Sequence, residues 1–188
     1  MHDGTQRILA VINSFVGRDG EPGNPGETYT LKAMWLMMLS EFEASIKATV
    51  EKHIDEVRKR DTSDIHICLL VRAFFGNSQE ELTMNRILSC YKRDSSEINY
   101  QNFTRDRVPK YKKAAVEKLF NCIGIFLSDD ESSQLSVLDS MASTRDSIAH
   151  GDIGVAITRK ELEGHLSDLG NILSMLQTRL NHTLIDAA

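Results

Sequence analysis

The chain has 188 residues, 41% of them hydrophobic and 26% charged, a composition that fits a globular protein with enough apolar material for one buried core. A net charge of −5 argues against a general polyanion binder, and no apolar run reaches the length needed to span a membrane. The start, Met1-His2-Asp3-Gly4, has no basic segment leading into an apolar one, so no signal peptide is expected, and the three widely spaced cysteines Cys68, Cys90 and Cys122 read as reduced, buried thiols of a cytoplasmic protein.

Residues 5–16 form a short apolar segment through Ile8, Leu9, Val11, Ile12, Phe15 and Val16, and Gly17, Gly20, Gly23 and Gly26 then recur at every third position, as in a loop built from turns. A phosphate cradle would need a lysine directly followed by a Ser or Thr after the last glycine, and that pair is absent. These two parts make an N-terminal segment, 1–27, ahead of a single helical domain, 28–188. The spacing predicts a first long helix from about Thr28 to Arg60, with Leu31, Trp35, Met38, Phe42, Ile46, Thr49, His53, Ile54 and Val57 on one face. At 1.5 Å per residue it is roughly 50 Å long, a spine for a bundle. Glu41 and Glu43 flank its apolar face as solvated boundary carboxylates, with support of a nearby site as the alternative role for Glu43.

Ile65 to Phe75 is almost wholly apolar, which suits a buried helix or a strand of that length. Ser78-Gln79-Glu80-Glu81 has the capping-box pattern and opens a helix to about Tyr91. From Tyr91 to Lys113 the chain carries seven basic residues (Lys92, Arg93, Arg105, Arg107, Lys110, Lys112, Lys113) against three acidic ones, a net of +4 that leaves −9 for the remainder. This stretch contains turn-forming clusters and Pro109, so it reads as an exposed loop. Its cations interleave with Tyr91, Tyr100, Phe103 and Tyr111, which suits stacking and phosphate contact with single-stranded RNA as well as it suits a solvated loop. On the RNA-binding reading Arg93, Arg105, Arg107, Lys110, Lys112 and Lys113 are the candidate contacts.

Tyr111 to Leu127 is amphipathic, with Val116, Leu119, Phe120, Ile123 and Phe126 as its core face, and Ser128-Asp129-Asp130-Glu131 breaks it and starts the helix that carries Arg145 to His150. After Gly151 to Gly154, Thr158-Arg159-Lys160-Glu161 forms a second capping box, with Ile157 placed to staple onto Leu162. The last helix carries Leu162, Leu166, Leu169, Leu173, Leu176 and Leu180 in alternating four-three steps, a narrow seam that either joins the chain's own core or buries against a second copy. The sum is an all-helical bundle of about five main helices with a short N-terminal extension.

The stretch Arg145-Asp146-Ser147-Ile148-Ala149-His150-Gly151 stands apart. An apolar stripe of Leu135, Leu138, Met141 and Ala142 continues into Ile148 and Ala149, and Arg145 takes a place where the stripe calls for an apolar residue. A guanidinium rarely occupies such a position unpaired. Asp146 and His150, four apart, share a face, so the carboxylate can orient the imidazole and hold its tautomer. An arginine followed by a histidine five to seven positions later occurs three times in the chain. Arg60 to His66 crosses a helix break and Arg159 to His165 lies in the solvated first turns of the last helix. Only Arg145 to His150 combines a stripe position with a helix stop at Gly151, where a histidine meets the negative end of the helix dipole. A permanent cation with an imidazole and a carboxylate is the equipment of a metal-free phosphodiester site; the competing reading is a buried ion pair of Arg145 with Asp146 or Glu43, with His150 as a helix cap.

The string Thr-Arg-Asp-Ser-Ile-Ala-His-Gly, late in a helical chain and followed by a capped final helix, resembles the signature of the HEPN superfamily, over roughly Met141 to Leu169. The resemblance implies a small helical bundle. It further implies a metal-independent endoribonuclease of the kind found as a toxin or antiviral effector, nearest the stand-alone HEPN-like nucleases of bacterial conflict systems. It implies Arg145, His150 and Asp146 as catalytic residues with Ser147 beside them, no cofactor and no metal. It also implies a homodimer whose cleft is built from two facing motifs, and a cognate antitoxin or operon partner. Asp146 stands where asparagine is commoner, and no tyrosine lies just beyond His150, so the subfamily silenced by nucleotide transfer onto that tyrosine is not matched. The second function this pattern allows is a catalytically inactive helical module that binds a partner protein or nucleotide. His66 and Cys68 supply two metal-ligand side chains without a second pair, and residues two apart on a helix face apart, so they read as core.

Overall fold

The computed structural model of the protein describes residues 2–17, 20–60, 64–75 and 111–185, together with the isolated positions 83, 85, 88, 89, 98 and 100. The capping box at 78–81 and all but isolated positions of the helix it opens, Cys90, the aromatics Tyr91 and Phe103, and the cations Lys92, Arg93, Arg105, Arg107 and Lys110 lie outside the described residues. Among the described residues the regular structure is all helical: α1 (His2–Phe15), α2 (Pro25–Arg58), α3 (Asp64–Phe75), α4 (Lys113–Cys122), α5 (Asp129–Gln134), α6 (Val137–Ala149) and α7 (Arg159–Ile185). None of these helices is long and apolar enough to cross a membrane.

α2 is the spine. It starts three residues before the expected Thr28 because the glycine-rich loop ends in a helix start of its own. The Asn24 side chain accepts from the Glu27 backbone N–H at 3.0 Å, Pro25 takes the first helical position, and the Glu27 carboxylate reaches back to the Gly23 N–H at 2.7 Å. α2 then packs along α1 and α7 and also touches α3 and α6. Ile8, Ile12 and Val16 of the N-terminal segment join Leu31, Trp35, Phe42 and the other α2 residues in a continuous core. The Arg159 guanidinium holds this corner, donating to the Val16 carbonyl at 3.1 Å, to Asn13 and to Glu163.

α3 is helical, which decides between the two readings of the apolar run 65–75. α4 stops earlier than the amphipathic pattern suggests. Gly124 takes φ +79°, and the N–H groups of Gly124 and Ile125 close back onto the carbonyls of Asn121 and Phe120 at 3.1 and 3.0 Å. This left-handed cap shifts the register, so Ile125 turns into the core and Phe126, expected on the core face, is 69% exposed. Ser128 and Glu131 form a capping box, but it opens only the short α5; the chain turns at Leu135 and Ser136, so the helix that carries Arg145 to Ala149 starts afresh at Val137 instead of at the Ser128 break. Thr158 and Glu161 form the expected box that opens α7. All six leucines of the α7 seam are buried within this one chain, so the seam belongs to the intramolecular core.

Two of the thiols depart from expectation. Cys68 is exposed and Cys122 only partly buried, because both face an open cavity of about 610 Å³ between α3 and α4 rather than the core.

His53 lies on the buried face of α2, 3% exposed, and neither ring nitrogen has a hydrogen-bond partner among the described residues. Burial, seconded by the charge of Arg60, pushes its imidazole down to about 4 from the ordinary 6.5. As pH falls below 6.5 the unfolded chain takes up this proton before the folded one does, so stability present above that value is lost between pH 6.5 and 4, on the order of 3 kcal/mol at most. His53→Leu should therefore show a smaller drop in Tm between pH 7.5 and pH 4.5 than the parent protein. An equal drop in both would contradict a neutral, buried His53.

Candidate active site

α6 carries the motif, and its depth in the bundle is set by Trp35. The buried indole of Trp35 donates from Nε1 to the Met141 carbonyl at 3.3 Å and meets the His165 ring edge-on, with centroids 5.1 Å apart and planes at 88°. α2, α6 and α7 are thereby joined one turn before Arg145. Leu138, Met141 and Ala142 face the core below this point.

At the end of α6 the chain closes in a left-handed cap. Gly151 takes φ +78°, its N–H bonds the Ile148 carbonyl at 3.0 Å, and the Asp152 N–H bonds the Ser147 carbonyl at 3.0 Å. His150 is the capping residue itself, at φ −83° and ψ 2°, and its side chain is exposed. The Lys32 ammonium, from the start of α2, fastens the following loop by donating to the Asp152 carbonyl at 3.0 Å.

Arg145 is half-buried, with 38% of its side chain exposed, and its guanidinium lies over the ring of Tyr111, 5.6 Å from the centroid. The stripe position that called for an apolar side chain is thus met by an aromatic face, a contact a delocalised cation accepts. Arg145 Nη1 donates to Asp146 Oδ1 at 3.2 Å, and Lys112 Nζ donates to Asp146 Oδ2 at 3.4 Å. Partial burial works against the charged form of Asp146, but the hydrogen bonds and charges of Arg145 and Lys112 outweigh it and hold the carboxyl below the usual carboxylate range. The carboxylate expected to orient His150 is therefore turned to two cations, and the His150 ring makes no hydrogen bond to it among the described residues. Two cations, one on each oxygen, claim the carboxylate.

An open depression of about 460 Å³ lies along this face, lined by Lys112, Asp139, Ser143, Asp146, Ser147, His150 and Asp152. Of the residues singled out in sequence, Asp146, Ser147, His150 and Lys112 line it, and Arg145 adjoins it through Asp146. Glu43 does not line it, and Lys113 instead reaches Ser136 at 3.5 Å and Glu117 at 3.9 Å. Asp139 and Ser143 join them, and stepping back from His150 and Asp146 by helical spacing leads to both. Tyr111 sits 34 positions from Arg145, and no local pattern connects them. Among the described residues no three His, Cys, Asp or Glu side chains come together as a metal-ligand set.

A protein-family model described as RiboL-PSP-HEPN matches residues 6–182, nearly the full chain and every helix that builds this face. No curated protein and no solved structure matches it.

Gly151 has nothing within 4 Å of where a Cβ would sit, so a side chain there meets only backbone strain. Gly151→Ala should cost about 1 kcal/mol in denaturant unfolding and Gly151→Asn less, since asparagine visits this conformation more readily. Gly124→Ala, with φ +79° and equally open space, should cost as much stability while leaving the His150 end of α6 in place. An unchanged unfolding midpoint in Gly151→Ala would contradict the left-handed cap that presents His150.

Proposed function

The chain belongs to the RiboL-PSP-HEPN family of HEPN proteins, and on that premise we propose that it is an endoribonuclease that cleaves RNA through the substrate's own 2′-hydroxyl, without a metal ion. The observation that carries this reading is the end of α6, where an imidazole is presented to solvent one turn beyond a permanent cation held on an aromatic ring. His150 removes the proton of the 2′-hydroxyl or protonates the leaving 5′-oxygen, and Arg145 stabilises the charge that builds on the non-bridging oxygens at phosphorus. The attacking oxygen and the phosphorus both come from RNA, so the products carry a 2′,3′-cyclic phosphate and a 5′-hydroxyl.

One histidine serves as base or acid in a given step, and the depression holds one among the described residues. We therefore infer a two-fold dimer that brings two motifs to one phosphate. The leucines of α7 are consumed by the chain's own core, whereas Ile153, 94% exposed, and Tyr29, 73% exposed, stand in the loop after His150 and at the start of α2. Those side chains favour this face as the contact. A role as a toxin or antiviral effector, with a cognate antitoxin or operon partner and action in the cytoplasm, completes the reading. The basic segment that includes Arg93, Arg105, Arg107 and Lys110 fits it as the surface that captures RNA within the field of an acidic chain.

A second reading, an inactive module that binds a partner protein or nucleotide, is favoured by one contact, the ion pair of Arg145 with Asp146 at 3.2 Å, which would serve equally as a structural anchor. RNA degradation by the purified protein in EDTA separates the two. His150→Ala and Arg145→Ala should each lower cleavage at least about 100-fold while the circular dichroism spectrum and Tm stay close to those of the parent. Mixing the two inactive variants should recover part of the activity if two chains share a phosphate. Cleavage at the parental rate in both variants, with contaminating nuclease excluded, would overturn the assignment.

A further inference from the structure

Three consecutive residues at the start of α4 each reach α6. The buried Tyr111 ring lies under the Arg145 guanidinium, Lys112 Nζ meets Asp146 Oδ2 at 3.4 Å, and the Lys113 backbone N–H donates to Asp139 Oδ1 at 3.2 Å. The last contact is a helix cap supplied from another helix. Lys112 occupies the N-cap position with φ −112° and ψ 143° and gives no side-chain cap, as a lysine cannot, so Asp139 takes an orphan donor of α4 instead. Anchored at Asp139 and again at Asp146, two turns further along α6, the segment is fixed in register with the motif. Its lysine side chain then lies in the same depression as His150.

Lys112 and Lys113 thereby separate. Lys113 is committed to Ser136 and Glu117 and is 28% exposed, whereas Lys112 is 44% exposed and its described side-chain partner is Asp146. The other two described carboxylates of the depression are each bonded to backbone, Asp139 to the Lys113 N–H and Asp152 to the Gly154 N–H at 2.9 Å. Asp146 alone among them spans two side-chain cations, one on each oxygen. A phosphate group presents the same pair of anionic oxygens to the same two cations.

Resting on the nuclease reading of this face, we propose that Lys112 is the second phosphate-binding cation of the site and that Asp146 is its positioning residue, a resident carboxylate that holds Lys112 and Arg145 apart and yields them to the RNA phosphate. The asparagine commoner at this position in related motifs carries no charge and cannot pair with two cations in this way. Asp146 thus stands in for the anion, and phosphate entry exchanges one anionic partner for another. The cost of that exchange is a weaker hold on RNA than the two cations alone would give, and the benefit is a pair of cations kept at fixed spacing when the site is empty.

Binding can be read independently of cleavage with a 2′-O-methyl oligoribonucleotide, which lacks the attacking hydroxyl, while cleavage of unmodified RNA is followed in parallel. Lys112→Ala should weaken affinity about fivefold to tenfold and flatten the slope of log affinity against log salt by about 0.7, the loss of one single-strand phosphate contact. Lys112→Arg should keep the parental slope and Lys112→Gln should not. Asp146→Asn should tighten binding several-fold, and that gain should largely vanish in the Lys112→Ala, Asp146→Asn double variant. Lys112-dependent binding of this pattern in a protein that cuts no RNA would sink the nuclease reading and leave the phosphate site standing. Affinity and slope unchanged in Lys112→Ala, whatever happens to cleavage, would overturn the proposal.

Discussion

The indole N–H of Trp35, buried in the middle of the bundle, finds its acceptor in the Met141 carbonyl at 3.3 Å, and the placement of the whole site follows from that bond. An indole left without a partner in such a setting costs on the order of 1 to 3 kcal/mol, so the helix bearing Met141 is held against α2 at one height and one rotation. Arg145 is then a single turn away, on the side where Tyr111 lies. The His165 ring, set perpendicular to the indole, brings α7 into the same register. The chemistry at the end of α6 is precise only to the extent that this buried junction is.

From that junction outward the site is built by local devices. The left-handed cap at Gly151 ends α6 abruptly and leaves His150 at the rim, and the Lys32 bond to the Asp152 carbonyl keeps the loop beyond it against α2. Each described carboxylate around the depression has a donor of its own, two of them backbone N–H groups, so negative charge here fastens α4 to α6 and closes the loop after His150. An acidic chain can in this way present an anion-binding face, because its local carboxylates are already engaged while Lys112 and Arg145 remain partly open to solvent.

What was legible in the sequence is what depends on near neighbours. The capping box at Thr158, the α7 leucine seam, the all-helical class and the helix stop after His150 each rest on near neighbours in the chain, and the structure has each of them. Phe126 was misplaced because the positive φ of Gly124 resets the register, and a periodic pattern carries no information about that turn. The cysteines were misplaced because their exposure depends on a cavity between α3 and α4, which only packing creates. Asp146 shows the same limit most clearly. Helical spacing offers it His150, yet the charge that claims it arrives from Lys112, 34 positions earlier in the chain, and from Arg145 turned back off the Tyr111 ring. Electrostatics across the fold outweighs proximity along the helix.

The account stands on a reaction in which RNA supplies the nucleophile and the end of α6 supplies proton transfer and charge stabilisation. The chemical ends of the cleaved strands report on this more directly than any rate. After digestion in EDTA, the 5′ fragments should end in a 2′,3′-cyclic phosphate, the 3′ fragments should begin with a 5′-hydroxyl, and an oligonucleotide with a single 2′-deoxy residue at the scissile position should resist cutting there. Fragments ending in a 3′-hydroxyl with a 5′-phosphate on the neighbour, or cleavage of the deoxy-substituted site at the parental rate, would contradict it.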